Sequence, residues 1–172
     1  MALNDRFALH EHDALDMTAP VRVDGPLSFQ ALNVWAQPKP TYPGHLNNTL
    51  DRFRATLLEA PAVIVGDFNS TLNADTPRRP RHANLVARLR DEFGLVSAYH
   101  HFHALEQGRE RCATYFHLRK RAAPYHIDFC FVPLEWTTKL LRVEVHKGRP
   151  WCRLSDHRPV VVEVSDARLG DD

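Results

Sequence analysis

Three short runs in this chain put acids, an amide and a histidine where a reaction could use them. The first is Gly66-Asp67-Phe68-Asn69, which closes the apolar run Ala62-Val63-Ile64-Val65. On a strand, Asp67 and Asn69 point to the same side, here at the carboxyl end where α/β sheets place ligands. Asp67 could orient or deprotonate a water, and Asn69 could fix a phosphate oxygen or a metal-bound water. The same residues also suit a Gly-Asp turn with Asn69 capping the next segment. The second run is Tyr125-His126-Ile127-Asp128-Phe129-Cys130-Phe131-Val132. Asp128 interrupts a strongly apolar strand, and burying an unpaired carboxylate is expensive. It therefore needs a partner, naturally a histidine or an arginine, unless it holds a loop through backbone hydrogen bonds. The third run, Ser155-Asp156-His157-Arg158-Pro159, precedes Val160–Val164. Adjacent Asp and His cannot easily bond each other, so each serves another group. Asp156 suits a hard divalent cation, and a histidine held by a carboxylate suits phosphate or general-acid work. A polar loop entering a strand is the bland alternative.

Regular elements must carry these runs. LSFQALNVWA over 27–36 is rich in aromatic and branched residues and reads as a strand. It stops at Gln37-Pro38-Lys39-Pro40, where two prolines cannot serve a ladder. Leu46, Leu50, Phe53 and Leu57 repeat at helical spacing over roughly 45–59, and Pro61 ends that helix. Leu85, Leu89 and Phe93 mark a second helix capped by Gly94. Strands are expected at 62–65, 113–118, 125–132, 140–145 and 160–164. Residues 1–26 show no clean periodicity beyond Phe7-Ala8-Leu9, which could end a short strand. Strands alternating with helices, then strands alone, predict an α/β sandwich with mixed sheets.

The 172 residues fit one domain, with 44% hydrophobic and 25% charged residues, too apolar for disorder. Lysine and arginine number 22 against 21 acids, a net charge of +1 that excludes a histone-like binder. No apolar run is long enough to span a membrane, and the opening residues lack the order of a signal peptide. Cys112, Cys130 and Cys152 are odd in number without CxxC spacing, against a disulfide framework or a thiolate zinc site, so the cytoplasm is the default compartment. Cys130, in an apolar strand, reads as an inert buried thiol.

Taken together and in this order, GDFN, IDFCFV and SDHRPV resemble the carboxyl-terminal half of the endonuclease/exonuclease/phosphatase superfamily. That group includes pancreatic-type deoxyribonucleases and abasic-site endonucleases. The likeness runs over about residues 27–165, with Asn33-Val34-Trp35-Ala36-Gln37-Pro38 and Gly94-Leu95-Val96-Ser97-Ala98-Tyr99-His100 agreeing in context. It implies metal-assisted phosphoester hydrolysis in a four-layered α/β sandwich with mixed, largely antiparallel sheets. Asp67 would activate the attacking water and Asn69 would hold the phosphate or that water. Asp156 would bind Mg²⁺ or Mn²⁺. His157 would contact the scissile phosphate, and Asp128 would orient and charge His157. The implied partner is a phosphoester substrate, with DNA or RNA as candidates and no membrane.

Family members generally begin with a strand ending in Asn and a later strand ending in Glu, both of which help hold the metal. Residues 1–26 offer neither: Asn33 belongs to a later strand, and Glu11 lies in a polar segment. The chain therefore reads as a member lacking its first portion, with sheet edges and an apolar face left to cover. Ala36 and Trp35 occupy the place of a usual histidine or tyrosine, removing one phosphate contact. The leading expectation is a metal-dependent phosphodiesterase or nuclease. The alternatives are a catalytically impaired remnant or binding domain, and a phosphomonoesterase acting on lipid or sugar phosphates. His100, His101 and His103 could be taken as a metal site, but a loop beside the cleft is the expectation, with Tyr99 and His100 facing the groove. Arg78-Arg79-Pro80-Arg81-His82 and Arg119-Lys120-Arg121 could meet a nucleic-acid backbone or simply face water. Trp35, Trp136 and Trp151 read as core or rim packing.

Overall fold

Most of the chain's apolar runs end up in one mixed sheet. The computed structural model describes residues 6–11, 17–79, 81–120 and 122–166. Six strands pair in the order β1 (Ala8–Glu11), β2 (Thr18–Asp24), β3 (Phe29–Trp35), β4 (Ala62–Asp67), β8 (Asp128–Pro133) and β5 (Leu95–Ser97). Only β3 and β4 run parallel; the other pairings in this sheet are antiparallel. The chain is thus α/β with a mixed, largely antiparallel sheet, as the sequence predicts.

One face of the sheet is covered by α1 (Tyr42–Arg52), α2 (Arg54–Glu59) and α3 (Arg81–Phe93). Between sheet and helices lies a core built around Leu32, Ile64, Phe68, Leu85, Leu89 and Phe131. The helix predicted over 45–59 starts earlier and is broken in two. Thr41 accepts a hydrogen bond from the Gly44 amide at 3.1 Å, which caps α1 at its start. Phe53 leaves helical geometry and separates α1 from α2. Gly94 ends α3 at φ +66°, the left-handed cap expected of it. Arg88 bonds Glu92 along α3 and Asn47 and Asp51 on α1, tying the two helices together.

The other face packs on a ribbon of β9 (Leu140–Val145) and β10 (Val160–Val164) and on α4 (Ala98–Phe102). Cys130, Val132, Trp136, Val143 and Val145 fill this second core. Burial pushes the Cys130 thiol up to about 12, which makes it the inert thiol the sequence suggests. The small pair β6 (Tyr115–Phe116) and β7 (Pro124–Tyr125) and the short helix α5 (Trp151–Leu154) complete the elements.

Several expectations change. β1 and β2 occupy the stretch that shows no periodicity. Pro20 lies inside β2, one residue beyond the last pairing with β1, Glu11 with Val21. Among the described residues that position is a local edge, where proline is tolerated. The strand expected over 113–118 shrinks to two residues, because Leu118 and Arg119 adopt φ of +52° and +59° in a 3-10 turn. The strand expected over 125–132 is two strands of different sheets, parted at His126 and Ile127. The histidine-rich stretch expected as a loop is largely helix α4, in which Tyr99 and His100 are buried. Trp136 is buried, but Trp35 is 53% exposed and is not core.

His100 belongs to a buried polar cluster. Its Nδ1 meets Ser97 Oγ at 2.8 Å and its Nε2 meets Glu110 Oε1 at 3.0 Å, with both charged-pair side chains under a tenth exposed. Burial raises the Glu110 carboxyl, but the His100 bond and the Gly108 amide outweigh it and hold the group down to about 2. A carboxyl held below its ordinary 4.5 adds stability that is complete above that value and is lost as pH falls toward 2. Glu110→Gln should therefore flatten the acid limb of stability in that window, by roughly 2–3 kcal/mol. Urea unfolding at neutral and at acidic pH would measure it, and equal acid losses in both proteins would rule the contribution out.

Candidate active site

The turn after β4 is built residue by residue. Gly66 stands at φ +139°, and a side chain there would lie 2.0 Å from the Val34 carbonyl oxygen. Only glycine allows so close a parallel approach of β3 and β4 at this point. Asp67 follows as the last residue of β4. Phe68 is buried against Phe129 and Phe131, with ring centroids 5.3 and 5.4 Å away, and its amide donates to the Ile127 carbonyl at 2.8 Å. With Phe68 anchored, Asn69 turns back at φ +48°. Its amide donates to Asp67 Oδ1 at 2.8 Å, and its Nδ2 donates to Asp67 Oδ2 at 2.9 Å and the Ala36 carbonyl at 3.2 Å. Asp67 and Asn69 do come together, but through this turn rather than through strand alternation. The turn reading and the site reading of GDFN describe the same geometry.

Directly across from Asp67 in the antiparallel pairing of β4 and β8 stands Asp128. Like charges in facing positions repel. Burial, with the charge of Asp128 added, pushes the Asp67 carboxyl up to about 6, although the Asn69 bonds oppose this. A carboxylate raised that far is a better proton acceptor near neutral pH than an ordinary one. Asp128 has the partner its burial demands: His157 Nδ1 lies 3.1 and 3.0 Å from its two oxygens. That hydrogen bond, stronger than the opposing effect of burial, holds the imidazole protonated to higher pH than usual. Because Nδ1 is committed to Asp128, Nε2 is the nitrogen that can meet a ligand. Asp67, Asp128 and His157 offer atoms all within 4.8 Å of one another.

Asp156 is not one of that close trio. Its carbonyl receives the Phe116 amide at 2.9 Å, while its charge acts on His157 and Tyr115. Two supporting residues were not evident from the sequence. Thr114, fully buried, accepts the Ile127 and Asp128 amides on its Oγ1 at 3.0 and 3.1 Å, and its carbonyl accepts the Arg158 amide at 2.6 Å. It thereby fixes both the strand start that carries Asp128 and the loop that carries His157. Tyr115 packs its ring 4.6 Å from that of His157. Nothing local marks Thr114: its burial at zero exposure is visible only in the folded chain.

The donor set fits a hard divalent cation. Asp67, Asp128 and Asp156 place three negative charges around one imidazole, and the Asp128 charge already penalises ionisation of Asp67. A cation held by these carboxylates, keeping waters for its remaining positions, would relieve that repulsion. No other group of three such ligands lies within bonding range among the described residues, and His100, His101 and His103 form none.

Comparison with known proteins bears on the family and the fold. The family model described as the Endonuclease/Exonuclease/phosphatase family matches residues 10–157. No curated protein sequence matches the chain. Among solved structures, a conserved protein of unknown function from Enterococcus faecalis is 15% identical with a TM-score of 0.62, over 86% of this chain and 55% of its own. The endonuclease domain of TRAS1, a telomere-specific non-LTR retrotransposon, is 13% identical with a TM-score of 0.64, over 94% and 69%. The AP endonuclease LMAP from Leishmania major is 11% identical with a TM-score of 0.64, over 85% and 54%. The chain thus spans about half the length of two of these three. At such identities the structures show the fold alone, and the family match covers most of the chain. The match over residues 10–157 shows that this chain belongs to the Endonuclease/Exonuclease/phosphatase family.

Proposed function

We propose that the chain, acting as a single domain, hydrolyses phosphodiesters with the help of Mg²⁺ or Mn²⁺, with a nucleic-acid strand as substrate. The observation that carries the reading is the His157–Asp128 pair standing beside Asp67 across β4 and β8. Asp67, positioned by both Asn69 bonds, orients a water and accepts its proton as the new phosphorus–oxygen bond forms and the bond to the leaving oxygen breaks. His157 presents Nε2 to a phosphate oxygen and stabilises the charge gathering there. Asp128 orients His157 and favours its charged form. Asn69 adds an amide beside the reacting group, and Asp156 would hold the cation close to Asp67 and Asp128, whose mutual repulsion it would relieve. A cation held there would supply Lewis-acid polarisation of the phosphoryl oxygens. The neighbouring AP endonuclease and retrotransposon endonuclease support a nucleic-acid substrate.

The test is hydrolysis of a generic phosphodiester and of single- and double-stranded DNA by the purified chain. Turnover should need added Mg²⁺ or Mn²⁺ and fall by about a thousandfold or more in chelator. Equal rates with metal and with chelator would exclude the metal-assisted reading. A folded sample inert with every cation would instead favour the impaired-domain alternative.

A further inference from the structure

A cavity of about 630 Å³ opens where β3 runs into α1, and none of its lining side chains belongs to the Asp67, Asp128 and His157 cluster. Lys39 and Arg52 bring two cations to it, and among the described residues that line it none is acidic. Both are exposed and bonded to no carboxylate among the described ion pairs. The Arg52 guanidinium lies 6.0 Å from the Phe53 ring, which with Met17 supplies apolar surface beside the charges. Asn48 adds an amide. His45 lines the same cavity, is only 9% exposed, and its Nδ1 has no hydrogen-bond partner. A buried polar nitrogen without a partner is rare, and the His45 ring that carries it borders this cationic cavity.

We propose that this cavity is a second phosphate subsite, which takes the phosphate of a nucleotide on Lys39, Arg52 and His45 and lays its base against Met17 and Phe53. A cavity of this volume exceeds a bare phosphate ion and suits a small organic ligand. Paired cations match a dianionic phosphate, and flat apolar surface matches a base. The site is also wired to the hydrolytic centre. Gln37 lines the cavity, and its neighbour Ala36 donates its amide to the Asp67 carbonyl at 2.8 Å and accepts from Asn69 Nδ2 at 3.2 Å. Gln37 is thus the chain neighbour of a residue hydrogen-bonded to both Asp67 and Asn69. The inference stands on this cavity and not on turnover at the carboxylate cluster.

Direct binding tests it. Adenosine 5′-monophosphate, adenosine and a short single-stranded oligonucleotide are titrated into the full chain by calorimetry, with the His45 ring resonances followed in parallel. The monophosphate should bind and shift His45, while adenosine binds at least about tenfold more weakly. Lys39→Ala combined with Arg52→Ala should weaken the monophosphate by about tenfold or more. Both positions are exposed, so these changes leave the core intact. His157→Ala should leave monophosphate affinity within about twofold. Tighter oligonucleotide binding would assign the phosphate to a strand running on from the hydrolytic centre, and tighter mononucleotide binding to a free nucleotide. Either order supports the subsite if it depends on Lys39 and Arg52. Absence of binding, or binding that ignores those two residues and falls with His157→Ala, overturns it. Loss of hydrolysis alone would speak against the proposed reaction and leave this site unaffected.

Discussion

His157→Ala should lower phosphodiester turnover by about three orders of magnitude, with KM changed far less. The imidazole is placed to meet charge that develops only as the phosphate reacts, so its loss falls on kcat rather than on binding. Both Asp128 oxygens sit within 3.1 Å of His157 Nδ1, so the pair acts as one device. Asp128→Asn keeps an oxygen acceptor but removes the charge that favours the imidazolium, and should cost about a hundredfold. The double variant should be hardly worse than His157→Ala alone, because residues acting through one group do not add. Steady-state kinetics of the four proteins on one diester would decide it. Turnover by His157→Ala within tenfold of the parent protein would sink the role given to His157. Additive losses would instead separate Asp128 from it.

Gly66→Ala should be the most damaging single methyl in the molecule, costing more than about 4 kcal/mol or preventing folding. The added Cβ would meet the Val34 carbonyl oxygen at 2.0 Å and the Val34 nitrogen and carbonyl carbon at 3.0 Å. Those are backbone atoms of the neighbouring parallel strand, so no side chain can swing aside. The residue also holds φ +139°, which a β-carbon disfavours. Gly94→Ala is the control: its φ is +66°, but nothing lies within 4 Å of the built Cβ. It should cost only about 1 kcal/mol, the conformational part alone. Urea midpoints for the two variants should therefore differ widely. If Gly66→Ala unfolded like Gly94→Ala, β3 and β4 could not approach as closely as described. Because Asp67 follows Gly66 and its carbonyl receives the Ala36 amide, any survivor should also lose activity.

The helices and the central strands were legible because their signals are local. Leu46, Leu50 and Leu57 or Leu85 and Leu89 repeat at helical spacing, and each pair buries the face that the period marks. Ala62 to Val65 is apolar at every position because both faces of β4 are covered. Where local signals conflicted, the reading failed. Residues 1–26 show no clean periodicity, yet β2 forms because Val21 and Val23 pair with Ala31 and Phe29 in β3. Leu118 reads as the last residue of a strand, but positive φ angles at Leu118 and Arg119 place it in a turn. Burial of His100 was unreadable, since a histidine at a given helical position is core or surface according to what packs on it. Here Glu110, ten residues on, supplies the bond that lets it stay inside.

The candidate site divides the same way. The sequence by itself determined which residue types were available: a carboxylate and an amide after a buried strand, a second carboxylate needing a partner, and a histidine adjoining a third. Burial energetics ask for a partner for Asp128, a histidine or an arginine, unless backbone hydrogen bonds serve instead. The folded chain supplies that partner as His157, the pairing the family resemblance implies, and only the fold sets Asp67 opposite Asp128 and Thr114 as the brace of both segments. Those facts depend on strand register and on loops meeting across about 30 to 60 residues of chain, where one residue of slip would turn Asp67 to the other face. Local sequence sets what each residue can do; the register of β4 against β8 sets what it meets.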